Sequence, residues 1–317
     1  MMTLGVVDSR DLERRGLMER VLVDRSAVWK MGAEAIQALY PIYRLGFQAM
    51  IRSYELEAEW IILFFARSTA PQPLTLPQLQ RYLPYTAESR RTHGLNRLVT
   101  QGMMAETEDG AYHLTTQGSR AAERILRIAQ RELGKAKVLP QADARRLADL
   151  LWPVVQAALQ TPEPHDKRGL LAYRWMDNGP CAPPVTRIDQ YLTDLNRFRE
   201  DCHYAAWKQH HLPPYVWEAL NTVWHGEAST AGELAKKLSF RGYTTEAYAG
   251  ALELLRECGC LLETRRGTFA LTSHGEALCV ETEARVEAMF FAPWSMLTSR
   301  AWDDVHDLLQ RLLVAVR

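Results

Sequence analysis

Arg90, His93 and Arg97 stand three and four residues apart, so on a helix they share one face. Thr86, Ser89, Arg91 and Asn96 accompany them, opposed only by Glu88. Guanidinium and imidazole donors in such an array suit phosphate oxygens and the O6 and N7 acceptors of guanine. The same spacing also describes an ordinary solvated polar face. A second concentration of reactive groups runs from Tyr173 to Trp224. Nine Phe, Tyr and Trp side chains there, Trp207 and Trp217 among them, alternate with Asp189, Asp194, Arg197, Arg199, Asp201 and His203. These rings suit a pocket for an aromatic ligand around Trp207 and Trp217, an anchor for a protein partner, or a packed helical core.

Other chemistry has no matching pattern. His203, His210 and His211 with Asp201 fit no metal-ligand spacing, so no metal is expected. Cys258-Gly259-Cys260 could form a vicinal thiol sensor, but Cys260 falls where a buried strand residue is expected. There is no phosphate loop, nucleophile elbow or dinucleotide glycine pattern. Neither a catalytic residue nor a cofactor is expected, and the chain reads as a non-enzyme.

The elements that must position these groups belong to a chain of 317 residues, 47% hydrophobic and 24% charged, which suits two globular units. Basic and acidic residues balance at 38 each, so no bulk polyelectrolyte character is present. Residues 1–160 nevertheless carry 21 basic and 17 acidic side chains, leaving the excess acid to the second half. The longest apolar run, Trp60–Ala66, is too short to span a membrane. Asp8, Arg10, Asp11 and Glu13 argue against a signal peptide. Five scattered cysteines argue against a disulfide scaffold and for a cytoplasmic location.

The chain repeats itself. Leu95–Gly118 lies without gaps over Leu252–Gly275, a spacing of 157, with nine of 24 positions identical. Each copy reads as a leucine-striped helix ending at a glycine (Gly102, Gly259), then two short strands around a turn (Asp109-Gly110, Arg266-Gly267). A threonine (Thr115, Thr272) then caps a new helix. Short helices at 74–83 and 228–238 precede the striped helices, and apolar helices at 56–65 and 216–224 precede those. Asp149-Leu150-Leu151 recurs as Asp307-Leu308-Leu309, so both units close with an amphipathic helix. The expected organisation is a first unit over 1–160, a Pro-rich linker over 161–184 and a second unit over 185–317.

This unit, ending in GMMAETEDGAYHLTTQG and GCLLETRRGTFALTSHG, resembles the winged helix of the MarR family of transcriptional regulators. The matching residues are Leu95, Leu98, Gly102, Leu114, Thr115 and Gly118, and in the second copy Leu252, Leu255, Gly259, Leu271, Thr272 and Gly275. The resemblance implies a mainly α fold with small β wings: two tandem winged helix-turn-helix units paired as an intramolecular pseudo-dimer. It implies a sequence-specific transcriptional regulator whose partner is double-stranded DNA, with a small aromatic effector as a further partner and no membrane. The molecule would be a monomeric pseudo-dimer or a homodimer.

The first recognition helix, about 86–101, would supply Thr86, Ser89, Arg90, Arg91, His93 and Arg97 to DNA. In the second copy Arg90, His93 and Arg97 become Ala247, Gly250 and Leu254, and Glu246, Glu253 and Glu257 would repel phosphate. Tyr243, Thr244 and the wing residues Arg265 and Arg266 remain as DNA contacts there. If both units bind, pseudo-twofold symmetry would set the readers about 34 Å apart, one duplex turn. Degenerate winged helices that bind protein, or a regulator answering an aromatic ligand, are the competing readings. The basic stretch from Arg120 to Arg146 suits the outer face of a long helix.

Overall fold

The computed structural model describes residues 24–316, so the N-terminal residues that bear on a signal peptide lie outside the described residues. The first half runs α1 (Arg25–Ser53), α2 (Trp60–Thr69), α3 (Leu76–Tyr82), α4 (Glu88–Thr100), β1 (Met104–Glu106), β2 (Tyr112–Leu114), α5 (Thr116–Lys135) and α6 (Gln141–Gln160). After α7 (Arg168–Tyr173) the same order returns. It comprises α8 (Pro184–Lys208), α9 (Pro214–Trp224), α10 (Ala231–Lys237), α11 (Thr245–Glu257), β3 (Leu261–Arg265), β4 (Thr268–Leu271), α12 (Ser273–Phe291) and α13 (Ser299–Val316). The chain is mainly helical, with two small antiparallel sheets. Among the described residues no helix is long and apolar enough to cross a membrane.

Local chemistry sets the element ends alike in both halves. Thr75 and Gln78 form a capping box on α3, and Thr230 and Glu233 form one on α10. Thr115 accepts the Gly118 N–H and donates to the Gly102 carbonyl at 2.7 Å; Thr272 accepts from Gly275 and donates to Gly259 at 2.6 Å. Gly102 and Gly259 take φ of 69° and 73°, the left-handed turn that stops α4 and α11. The wings pair Met104 with Leu114 and Leu261 with Leu271.

Each half buries its own winged lobe core. Leu63, Leu79, Leu95, Leu98 and Ala121 are fully buried in the first, and Val216, Leu234, Leu252 and Leu255 in the second. A third core belongs to both halves: Val28 and Leu39 from α1, Leu147, Leu151 and Val154 from α6, Ile188 and Leu195 from α8, Phe290 from α12, and Val305 and Leu309 from α13. The packing is reciprocal. Helix α1 lies on α5 and on the distant α13, while α8 lies on α12 and on α6. Arg146 meets Asp304 at 2.7 Å where α6 crosses α13.

Several boundaries differ from expectation: the apolar helix expected over 56–65 is Trp60–Thr69, and the short helix expected over 228–238 is Ala231–Lys237. Helix α4 starts at Glu88 rather than Thr86, because Ala87 is extended and has no side chain to cap with. The Pro-rich stretch 161–184 is not a bare tether. It contains α7, held to α8 by the Asp201 carboxylate, which accepts the Gly169 and Leu170 N–H groups at 2.9 Å each.

A Cβ on Gly118 would fall inside the Met103 carbonyl oxygen, and one on Gly275 inside that of Cys260. Helix propensity alone favours alanine by roughly 1 kcal/mol at such positions. Gly118→Ala and Gly275→Ala should instead destabilise the protein by more than ~2 kcal/mol in denaturant titrations, because backbone, not a flexible tip, must move.

Candidate nucleic-acid interface

Helix α4 rests on α2 at Gly94, whose missing Cβ leaves room for Ile62. That close approach turns Leu95 and Leu98 into the core and Ser89, Arg90, His93 and Asn96 outward. The two remaining arginines are otherwise employed. Arg97 binds the Glu59 carboxylate at 2.8 Å and the Glu55 carbonyl at 3.2 Å, fastening α4 to the loop before α2. Arg91 is only 4% exposed, with its guanidinium donating to the Leu83 and Thr86 carbonyls. Thr86 therefore holds Arg91 in place from a half-buried position. Of the expected first-unit residues, Ser89, Arg90 and His93 are presented, Arg97 is partly committed, and Arg91 is a brace inside the turn. Asn96 lies exposed beside them.

In the second lobe Thr244 caps α11 through the Ala247 N–H at 3.2 Å, and Tyr243 stacks on Tyr215 with ring centres 4.5 Å apart. Arg265 and Arg266 are exposed on the wing. The outer face of α11 shows Glu246, Ala249, Gly250, Glu253 and Glu257, with Arg256 spent on Glu253. This face is acidic where α4 is basic.

The two helix-turn-helix segments touch. Ala87 donates its N–H to the Arg241 carbonyl at 2.8 Å, and the Arg90 stem lies against Gly242. Thr244 follows Arg241 by three residues, so the N-terminal ends of α4 and α11 are within roughly 18 Å of each other. The helix starts thus stand closer together than the roughly 34 Å expected between two readers. Tyr85 crosses into the second lobe, where its hydroxyl accepts the Trp207 indole N–H at 2.7 Å. It lies 3.5 Å from Nδ1 of His203, whose Nε2 accepts the Trp217 indole N–H at 3.4 Å. Arg241 covers the Tyr85 ring, and Glu218 holds Arg241 with two oxygens.

Trp207 and Trp217, expected to line a ligand pocket, are 2% and 1% exposed and stack parallel in the second lobe core. The Trp207 N–H joins the halves through Tyr85, and the Trp217 N–H is taken up by His203 within the second half. A cavity of about 620 Å³ lies instead on the first-half side, between α1, α2, α5 and α8. Among the described residues no group of His, Cys, Asp or Glu is arranged to hold a metal ion.

The model of a helix-turn-helix family matches residues 119–317, almost two thirds of the chain. The chain belongs to this helix-turn-helix family. Membership points to DNA binding as the general role, and to a regulator rather than an enzyme. The match spans α5 through α13, including the second helix-turn-helix, and begins after α4. No curated protein and no solved structure matches the chain.

Two outcomes follow from these placements. Arg91→Ala should lower unfolding stability by about 1–3 kcal/mol, since two carbonyls lose their donor, while Arg90→Ala should stay within ~0.5 kcal/mol of the parent. Burial and the nearby Arg199 push His203 down to about 4. Its unfolded imidazole takes a proton near 6.5, so this group's stabilisation is complete above that pH and is lost as pH falls toward 4. Thermal unfolding from pH 7.5 to 4.5 should show that decline, and His203→Asn should flatten it.

Proposed function

We propose that this helix-turn-helix protein is a sequence-specific, MarR-like transcriptional regulator. In this reading two tandem winged units pair within one chain, the first spanning residues up to 160 and the second 185–317. The reciprocal packing of α1 with α13 and α8 with α6 supports the pseudo-dimer. The single observation that carries the DNA reading is the outward array of Ser89, Arg90 and His93 on α4, in a helix whose apolar face is fully used. Arg90 reaches base edges or phosphate, His93 and Ser89 add donors, and Arg97 orients the helix through Glu59. Thr244 and the Arg265-Arg266 wing add backbone contacts from the second lobe.

The closed seam between the lobes bears on mechanism. With the helix starts this close, two readers cannot enter successive major grooves end-on. One lobe engages the groove alone, or the Tyr85 seam opens first. The acidic face of α11 favours a second reading for that lobe alone, as a surface for a basic protein partner rather than for phosphate.

Selection of bound genomic fragments by the full chain supplies the probe. Against the best fragment, Arg90→Ala should weaken binding by about 1–3 kcal/mol, and the slope of log affinity against log salt should fall by about one for each lost phosphate contact. Arg265→Ala with Arg266→Ala should weaken binding less and without changing sequence preference. Affinity and salt slope left unchanged by Arg90→Ala with His93→Ala would remove α4 from the interface.

A further inference from the structure

The 620 Å³ cavity is walled by an unbroken chain of rings. Tyr40 meets Tyr43 edge-on at 5.4 Å, Tyr43 meets Phe47 at 5.9 Å, Phe47 meets Trp60 at 5.1 Å, Trp60 meets Phe64 at 6.4 Å, and Phe64 meets Tyr173 at 4.5 Å. From α8, the other half of the molecule, Asp189 also lines this space. Its Oδ1 is sealed from water and has no hydrogen-bond partner. Five residues on, Asp194 does have partners, Arg174 and Gln190. Asp189 has none of this compensation.

An unpaired carboxylate at the wall of an aromatic cavity is a poor structural element and a good counter-ion. Ionised, its sealed Oδ1 loses hydration without return, in a side chain that is otherwise only half-buried. Ring faces carry negative potential, so they attract a cation and disfavour an anion. The basic groups that share the lining do not cancel this field. Arg197 gives Nη1 to Glu200 at 2.6 Å and lies over the Tyr173 ring, although its Nε is sealed without a partner as Asp189 Oδ1 is, and Arg52 and Glu57, both exposed, line the space with opposite charges.

We propose that this cavity binds a lipophilic organic cation, with Asp189 as its counter-ion and the rings of Tyr40, Tyr43, Phe47 and Trp60 as its cage. The volume falls in the range of drug-sized ligand sites, roughly 300–1,000 Å³. Burial and the neighbouring Asp194 push the Asp189 carboxyl up to about 7, and a cation bound beside it would favour the ionised form. The site deepens the ligand-responsive form of the regulator reading by naming the ligand's charge, and its test involves no DNA, so either idea can fail alone.

Tetraphenylphosphonium and tetraphenylborate are close in shape and opposite in charge. Calorimetry and quenching of tryptophan fluorescence on the full chain should show the phosphonium binding at least tenfold more tightly than the borate. Asp189→Asn should weaken the phosphonium tenfold or more, and its unfolding midpoint should match or exceed the parent's, which separates a lost counter-ion from a lost fold. Trp60→Leu should weaken it as well. Equal affinities, a preference for the borate through Arg52 and Arg197, or phosphonium binding unmoved by Asp189→Asn would each overturn the proposal.

Discussion

One core serves both halves, and the position of every other element depends on it. Val28 and Leu39 of α1 are covered by α13, and Ile188 and Leu195 of α8 are covered by α6. Neither half could bury its long first helix without the closing helix of the other. Such an exchange makes the central bundle one cooperative body. The winged lobes are attached to it through α5 and α12, which leave their lobes and lie on α1 and α8. Whatever the lobes read is therefore aimed by a bundle that contains no reading residue.

A single chain permits something that identical subunits do not. Arg146 and Asp304 occupy corresponding places on the two closing helices and face each other at 2.7 Å. Around a true twofold axis each residue there would meet its own kind, arginine against arginine or aspartate against aspartate. Both side chains are substantially exposed, so the pair adds well under ~1 kcal/mol to stability. Its consequence lies in pairing. At this position the two closing helices are complementary, whereas two copies of either would set like charges against each other. The same difference is visible on the outer surfaces, where α4 has donors at 90, 93 and 97 and α11 has Ala247, Gly250 and Leu254 at the matching places.

Where function requires local geometry, the sequence was readable. The threonine caps, the glycines that stop α4 and α11, the wing turns and the leucine stripes all lie within a few residues of what they do. Each stands in the structure where spacing put it, apart from shifts of a residue or two at element ends. What could not be read were contacts between distant segments. Helical spacing grouped Arg90, His93 and Arg97 on one face, but Glu59, 38 positions earlier, claims Arg97. Arg91 looked equivalent to Arg90, yet the carbonyls of the preceding turn draw it inward. Ring density alone cannot tell a core from a cavity, so Trp207 and Trp217 stood out while the open space lay beside Tyr40, Tyr43 and Phe47. Those three recur at helical spacing on α1, which was the available signal.

The seam and the cavity act on the same object from two sides. Tyr85 pins the turn before α4 into the second lobe through Trp207 and Arg241. The cavity is lined from one side by α2 and α5 of the first lobe and from the other by α1 and α8 of the bundle. Movement of the first lobe on the bundle must change both, since α4 is fixed to α2 at Gly94 and through Arg97 and Glu59. A ligand in the cavity influences DNA binding only by the difference in its affinity for the seamed and the parted lobes. Asp189 comes from the second half and most of the rings from the first, so lobe displacement changes the distance between the carboxylate and its cage. A cation held by both at once is sensitive to that distance, whereas an apolar ligand held by the rings alone would be far less so.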